Sequence, residues 1–171
     1  SKVGSYTLNY NVTDAAGNKA VELTRKVTVK DTVVPVISLK GEASLTLEVG
    51  VTYTESGATA NDSFEGDITS SIVIAGLVDT TKTGTYKITF NVSDSSGNPA
   101  TEVSRSVVLV DTSSPVMILA GDATMTVEAG SIYTDPGVTA TDNLDGNLTD
   151  EITVTGSVDT AKAGDYTLTY A

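Results

Sequence analysis

An all-β sandwich is the fold class that this sequence predicts, on three observations. Val, Ile and Thr crowd every segment, while aromatic residues make up 5% and Trp is absent. Such β-branched side chains suit a pleated, half-buried surface better than a helix. Short runs of these residues alternate with turn signals at the spacing of a sandwich. The chain also aligns with itself at an offset of eighty residues without a gap, so one set of strands recurs.

The repeat sets the domain organisation. GSYTLNYNVTDAAGN (4–18) matches GTYKITFNVSDSSGN (84–98), and GDYTLTY (164–170) repeats its opening. Between residues 32–91 and 112–171, roughly 26 of the 60 aligned pairs are identical. DTVVP (31–35) and DTSSP (111–115) each follow a β-rich run and precede another. Proline cannot donate to a ladder, so it belongs at a strand start or in a linker. Boundaries placed there make 1–31 the C-terminal part of one module, 32–111 a complete module and 112–171 the N-terminal part of a following one.

Within the complete module, strands are expected near 36–40, 44–49, 57–60, 72–78, 85–93 and 101–110. Tyr86, Ile88, Phe90 and Val92 alternate with Thr89 and Asn91, and Val103, Val107 and Leu109 supply the facing strand less regularly. SDSSGN between them reads as a hairpin connection, with Asp94 accepting backbone N–H groups and Gly97 and Asn98 tolerating positive φ. TDAAGN (13–18) does the same one repeat earlier.

Composition excludes several function classes. The formal charge is -12, with no His and no Cys. An acidic surface repels nucleic acid and anionic lipid. Five of the ten basic residues lie in residues 1–31, scattered along strand-like stretches as solvated faces. Without His or Cys a serine nucleophile lacks its usual base, and zinc ligand sets are missing. Paired carboxylates can serve a glycosidase, yet these recur once per repeat, which signals stacking and not an active site. There is no stretch of eighteen apolar residues, so no membrane insertion is expected. The opening SKVGSY does not read as a signal peptide, and the chain reads as an internal piece of a longer protein.

The order of motifs is specific. DTxxP is followed by LEVG or VEAG, then YTESGATAND or YTDPGVTATD, an EG or DG turn, G-x-V-D-T, G-x-Y and D-x-x-G-N. This order resembles the bacterial immunoglobulin-like repeat family, of the kind found in pesticidal crystal proteins and bacterial surface proteins. It is similar in outline to hyalin-repeat and cadherin-like modules. The resemblance covers the whole chain and implies tandem immunoglobulin-like β-sandwich repeats of about 80 residues. For activity it implies a spacer, an adhesive unit or an appendage of an unrelated enzyme.

The acidic turns DSFEGD (62–67) and DNLDGN (142–147) are the chief candidates for chemistry. Neither is a self-contained calcium loop. An EF-hand needs oxygen ligands at positions 1, 3 and 5 with Gly at 6. Counted from Asp142, position 3 is Leu144 and position 5 is Gly146; counted from Asn143, Leu148 stands where Gly is needed. A composite calcium site assembled from distant carboxylates remains open. Its candidates are Glu48, Asp62, Glu65, Asp67, Asp94 and Asp111 in the complete module, with Glu128, Asp142, Asp145 and Asn147 in the matching places of the last one. Cadherin-like modules hold calcium where successive domains meet, and that resemblance adds Asp31 to Asp111 as junctional residues. In the competing reading no cofactor binds: Asp62 and Asp142 form Asx turns, Glu65-Gly66 and Asp145-Gly146 are loop tips, and Asp31 and Asp111 cap the linkers.

Glycan recognition would use exposed aromatic platforms, for which Tyr53 and Tyr133 are the candidates, against the alternative of packing at strand ends. Tyr86 and Tyr166 read as corner tyrosines with the hydroxyl tied to backbone. Lys82 or Lys87 can be considered as donor of an isopeptide crosslink to Asn, although nothing local selects a partner. Residues 112–171 lack the hairpin that 92–111 supply, and 1–31 carry such a hairpin. Head-to-tail self-association by strand complementation is therefore expected, besides contacts with neighbouring modules of the same chain. SYTLNY (5–10) and DYTLTY (165–170) are copies of one strand, so only one can fill that slot. The expectation is a non-catalytic extracellular or cell-surface module, a spacer, stalk or adhesive unit of a larger bacterial protein. The alternative is a glycan-binding appendage of a secreted enzyme or toxin.

Overall fold

A computed structural model describes residues 2–171. In chain order its strands are β1 (Gly4–Tyr10), β2 (Leu23–Val29), β3 (Val36–Leu39), β4 (Ser44–Glu48), β5 (Ala58–Asp62), β6 (Gly66–Asp67), β7 (Val73–Ala75), β8 (Gly84–Asn91), β9 (Val103–Val110), β10 (Val116–Leu119), β11 (Val138–Asp142), β12 (Gly146–Asn147), β13 (Val154–Thr155) and β14 (Thr169–Tyr170). Two short 3-10 turns, Thr69–Ser71 and Thr149–Glu151, are the helical elements among the described residues. The fold is all-β, an immunoglobulin-like sandwich in which β3-β5-β6 form one sheet and β4-β9-β8-β7 the other.

The chain falls into two compact units. One comprises Ser1–Leu45, Thr54–Leu77 and Lys87–Ser106; the other comprises Thr46–Tyr53, Val78–Tyr86 and Val107–Ala171. In the first, β1 and β2 form an antiparallel hairpin in register from Gly4↔Val29 to Tyr10↔Leu23, and β3 pairs with β5 from Val36↔Asn61 to Leu39↔Ala58. Ile37, Ala58, Ala60, Ile68, Ile88, Phe90 and Val92 are buried there. In the second unit β10 pairs with β11 from Val116↔Thr141 to Leu119↔Val138, the register of β3 and β5 shifted by one repeat. Its buried apolar residues are Val49, Val107, Leu109 and Ala140.

Strand alternation also turns charge inward. In β9 the positions 103, 105, 107 and 109 face in, and one of them is Arg105, 1% exposed. Its Nε donates to the Glu42 carbonyl at 2.8 Å, its two terminal nitrogens reach the Glu55 carboxylate and the Lys40 carbonyl, and its guanidinium lies 5.9 Å from the centre of the Phe90 ring. Acceptors at all three nitrogens of the guanidinium offset the cost of burying the cation. In the third repeat Asp135 stands in the place of Glu55 and Tyr170 in that of Phe90. The Tyr170 hydroxyl donates to the Asp135 carboxylate at 2.8 Å. That hydrogen bond, then burial and nearby negative charge, pushes the Tyr170 pKa up to about 12.

Several devices recur in phase. The hydroxyls of Tyr6, Tyr86 and Tyr166 donate to the carbonyls of Lys2, Lys82 and Lys162. Tyr86 and Tyr166 are thus corner tyrosines, as the sequence predicts, and Tyr6 is a third. Gly76, at φ +105°, approaches the next strand so closely that a Cβ would collide with the Lys87 carbonyl oxygen, and Gly156 meets Thr167 in the same way. The lysines considered for a crosslink form exposed ion pairs instead, Lys82 with Asp79 and Lys87 with Glu102.

The third repeat is less regular than the second. The counterparts of β4 and β8, at 124–128 and 164–171, are mostly irregular, with only Thr169–Tyr170 in strand. A cleft of about 710 Å³ opens there, lined by Leu119, Met125, Val127, Tyr133, Leu168 and Tyr170 among others.

Candidate functional site

β5 begins the construction of the site. Its alternation buries Ala58, Ala60 and Asp62, leaving Thr59 and Asn61 outside. The inward position at the end of the strand is therefore held by a carboxylate, and Asp62 is 2% exposed. The chain then turns into β6, and Asp62 Oδ1 accepts the N–H groups of Phe64 at 2.7 Å and Glu65 at 3.0 Å. This is the Asx turn of the competing reading. Its other oxygen, Oδ2, is sealed from solvent without a donor.

Two further carboxylates approach it. Asp31, in the linker before β3, is half-buried; Oδ1 accepts the Val33 N–H at 3.1 Å, while Oδ2 is again buried without a donor. Asp94, in the loop joining β8 to β9, is 6% exposed. Its Oδ1 takes the Asn98 N–H at 2.8 Å and its Oδ2 takes the Asn98 side-chain amide at 2.7 Å. The same amide donates to the Asp31 carbonyl at 3.2 Å. One oxygen from each of Asp31, Asp62 and Asp94 lies within 4.8 Å of those of the other two. Burial works to raise the Asp94 pKa, but the side-chain and backbone donors of Asn98, helped by those of Ser96 and Gly97, outweigh it and hold the carboxyl below its ordinary value.

Asn98 is the residue whose role the sequence conceals. Expected to tolerate positive φ, it does not adopt it; among the described residues only glycines do, Gly97 at φ +88° in this loop. Asn98 acts through its side chain, which clamps Asp94 to the linker. Asp14 and Asn18 repeat the clamp one module earlier, with Asn18 donating from its backbone at 2.8 Å and from its amide at 2.8 Å. The D-x-x-x-N spacing was the available signal.

A second trio contains the counterparts of Asp31 and Asp62, and its third member, Asp145, is the counterpart of Glu65 and not of Asp94. Asp111, Asp142 and Asp145 bring one oxygen each within 4.8 Å of one another. Asp142 Oδ1 accepts the N–H groups of Leu144 at 2.8 Å and Asp145 at 3.0 Å. The Asp145 and Leu144 backbone donors hold the Asp142 pKa down against burial. Burial raises the Asp111 pKa, opposed by the Ser113 N–H and reinforced by the charges of Asp142 and Glu48.

The remaining candidates lie elsewhere. Glu65 Oε1 accepts the Ser95 N–H at 2.8 Å and the Ser95 hydroxyl, so it ties the β5-β6 turn to the Asp94 loop. Asp67 caps Thr69 at 2.9 Å. Glu48 receives the Thr112 N–H at 2.7 Å and hydroxyl at 2.9 Å, and the Ser113 N–H at 3.1 Å and hydroxyl at 3.0 Å. These donors, the Thr112 N–H foremost, lower its pKa to about 2. Glu128 belongs to neither trio, and Asn147 Oδ1 caps Thr149 at 3.0 Å. Tyr53 and Tyr133 are half-buried.

The chain matches the family model of the Ig-like domain of bacterial surface proteins over residues 37–109 and 117–171. It is 34% identical over 126 residues to pesticidal crystal protein Cry22Aa of Bacillus thuringiensis, a match covering 70% of this chain and 17% of that protein. It is 29% identical over 148 residues to hyalin of Strongylocentrotus purpuratus, covering 80% of this chain and 12% of that protein. The chain thus spans less than a fifth of the length of either relative. Among solved structures, a lipoprotein of Bacteroides thetaiotaomicron is similar with a TM-score of 0.42 and 24% identity, over 64% of this chain and 62% of that one.

Proposed function

Because the chain belongs to the family of Ig-like domains of bacterial surface proteins, we propose that it is a non-catalytic spacer module displayed outside the cell. The observation that carries this reading is the in-phase recurrence of its polar devices. Corner tyrosines, Asx turns and Asp-Asn clamps each return at the eighty-residue offset, and each holds backbone. A unit that repeats its scaffold hydrogen bonds serves stacking and extension, because length is additive in repeats and an active site is not. Among the described residues no helix is long and apolar enough to cross a membrane.

A replacement experiment tests the spacer role. In the protein as its cells make it, residues 32–111 are deleted, or exchanged for an unrelated Ig-like domain of similar length. The spacer reading expects the exchange to preserve the protein's cellular phenotype and the deletion to impair it. If the exchange is as damaging as the deletion, the module contributes specific contacts. Glycan-array binding lost on Tyr53→Ala would then identify it as a ligand-binding appendage.

A further inference from the structure

We infer that Asp31, Asp62 and Asp94 form a binding site for a hard divalent cation of the size of calcium. Three segments converge there: the linker before β3, the inward end of β5 and the loop between β8 and β9. Asp62 is 2% exposed and Asp94 6% exposed. The Asx turns and linker cap occupy the Oδ1 atoms of Asp31 and Asp62 and leave both Oδ2 atoms buried without a donor. No ion pair among the described residues brings a Lys or Arg to any of the three carboxylates.

Such an arrangement is unfavourable unless something positive sits in it. A buried anionic oxygen that has lost water and found no donor is costly, and three carboxylates this close repel one another. A divalent cation offsets two of the three negative charges and gives the buried oxygens a partner. Calcium takes oxygen ligands at about 2.3–2.6 Å, so oxygens on opposite sides of the ion stand up to about 5 Å apart. The 4.8 Å limit on the separation of these carboxylate oxygens falls within that span. Magnesium, at about 2.0–2.1 Å with strict octahedral demands, retains its water more firmly and is less often held by protein oxygens alone.

The second trio, Asp111, Asp142 and Asp145, contains no buried oxygen without a donor, and the inference is confined to the first. It does not depend on the spacer role, since a cation here acts on the fold whatever the module does in the cell.

The test uses the thermal unfolding midpoint of the whole chain in EDTA and in calcium chloride, for wild type, Asp62→Asn and Asp150→Asn. Asn at 62 keeps an Oδ1 acceptor for the Phe64 and Glu65 N–H groups and replaces the orphaned Oδ2 with a donor. Asp150 is exposed and removes the same charge from outside the cluster. Wild type is expected to gain roughly 5 °C or more when calcium exceeds its Kd a hundredfold. Asp150→Asn retains that gain and Asp62→Asn loses it. In EDTA, Asp62→Asn is at least as stable as wild type, because it removes an uncompensated buried charge, so the order of the two proteins reverses on adding calcium. If Asp62→Asn does not fold, Asp31→Asn carries the same comparison. An unchanged wild-type midpoint, or a full calcium gain in the position-62 or position-31 variant, overturns the inference.

Discussion

Asp62 and Arg105 place charge at positions that alternation turns inward, and each is reconciled with burial by different means. Arg105 meets the Glu55 carboxylate and two carbonyls. Removing one partner of a buried pair strands the other, which typically costs about 3–5 kcal/mol. Arg105→Ala is therefore expected to lower the urea-unfolding free energy by about that amount; a loss under about 1 kcal/mol would mean that solvent reaches the Glu55 carboxylate in the folded chain. Asp62 was legible in the sequence as an acidic candidate because its turn recurs at Asp142, but its burial was not. A-T-A-N-D places small residues at the other inward positions, and nothing local shows that a linker and a distant loop will cover the last one. Arg105 was hidden for a related reason. A single charge within VSRSVVLV blurs the alternation, and its acceptors lie 50 to 65 residues away.

At the scale of elements, strands 36–40, 44–49, 57–60, 85–93 and 101–110 were legible to within two residues, because turn residues bracket each β-branched run. The two-residue strands β6 and β12 were not, since two residues carry no period. The linker after β9 is secured by Glu48 at the end of β4, whose carboxylate receives Thr112 and Ser113. A pKa lowered to about 2 means that folding favours the ionised form. This contribution is fully present above the ordinary carboxylate range, about pH 4.5, and is lost as pH falls through it toward 2. Asp111, with its raised pKa, has the opposite sign: its contribution is lost as pH rises. The Glu48 effect is therefore isolated by difference. Across that acid range the unfolding midpoint of wild type should fall more steeply than that of Glu48→Gln, with the two converging at the acid end. Parallel curves would show that the Glu48 hydrogen bonds do not persist in solution.

For the molecule as a whole, the eighty-residue offset was the most legible feature, because it is a property of the sequence that needs no folding rule. Family membership and the all-β sandwich follow the same motifs that mark the repeat. The assembly of Asp31, Asp62 and Asp94 was legible only as a set of candidates. Glu65 was an equally good candidate by sequence, yet it turns to Ser95 while Asp94 turns inward, a choice made by loop geometry. Display outside the cell is the central claim, and labelling of intact source cells tests it most directly. Antibodies against the purified chain should stain unpermeabilised cells, and brief external protease treatment should remove the signal. Staining that appears only after permeabilisation would contradict the account.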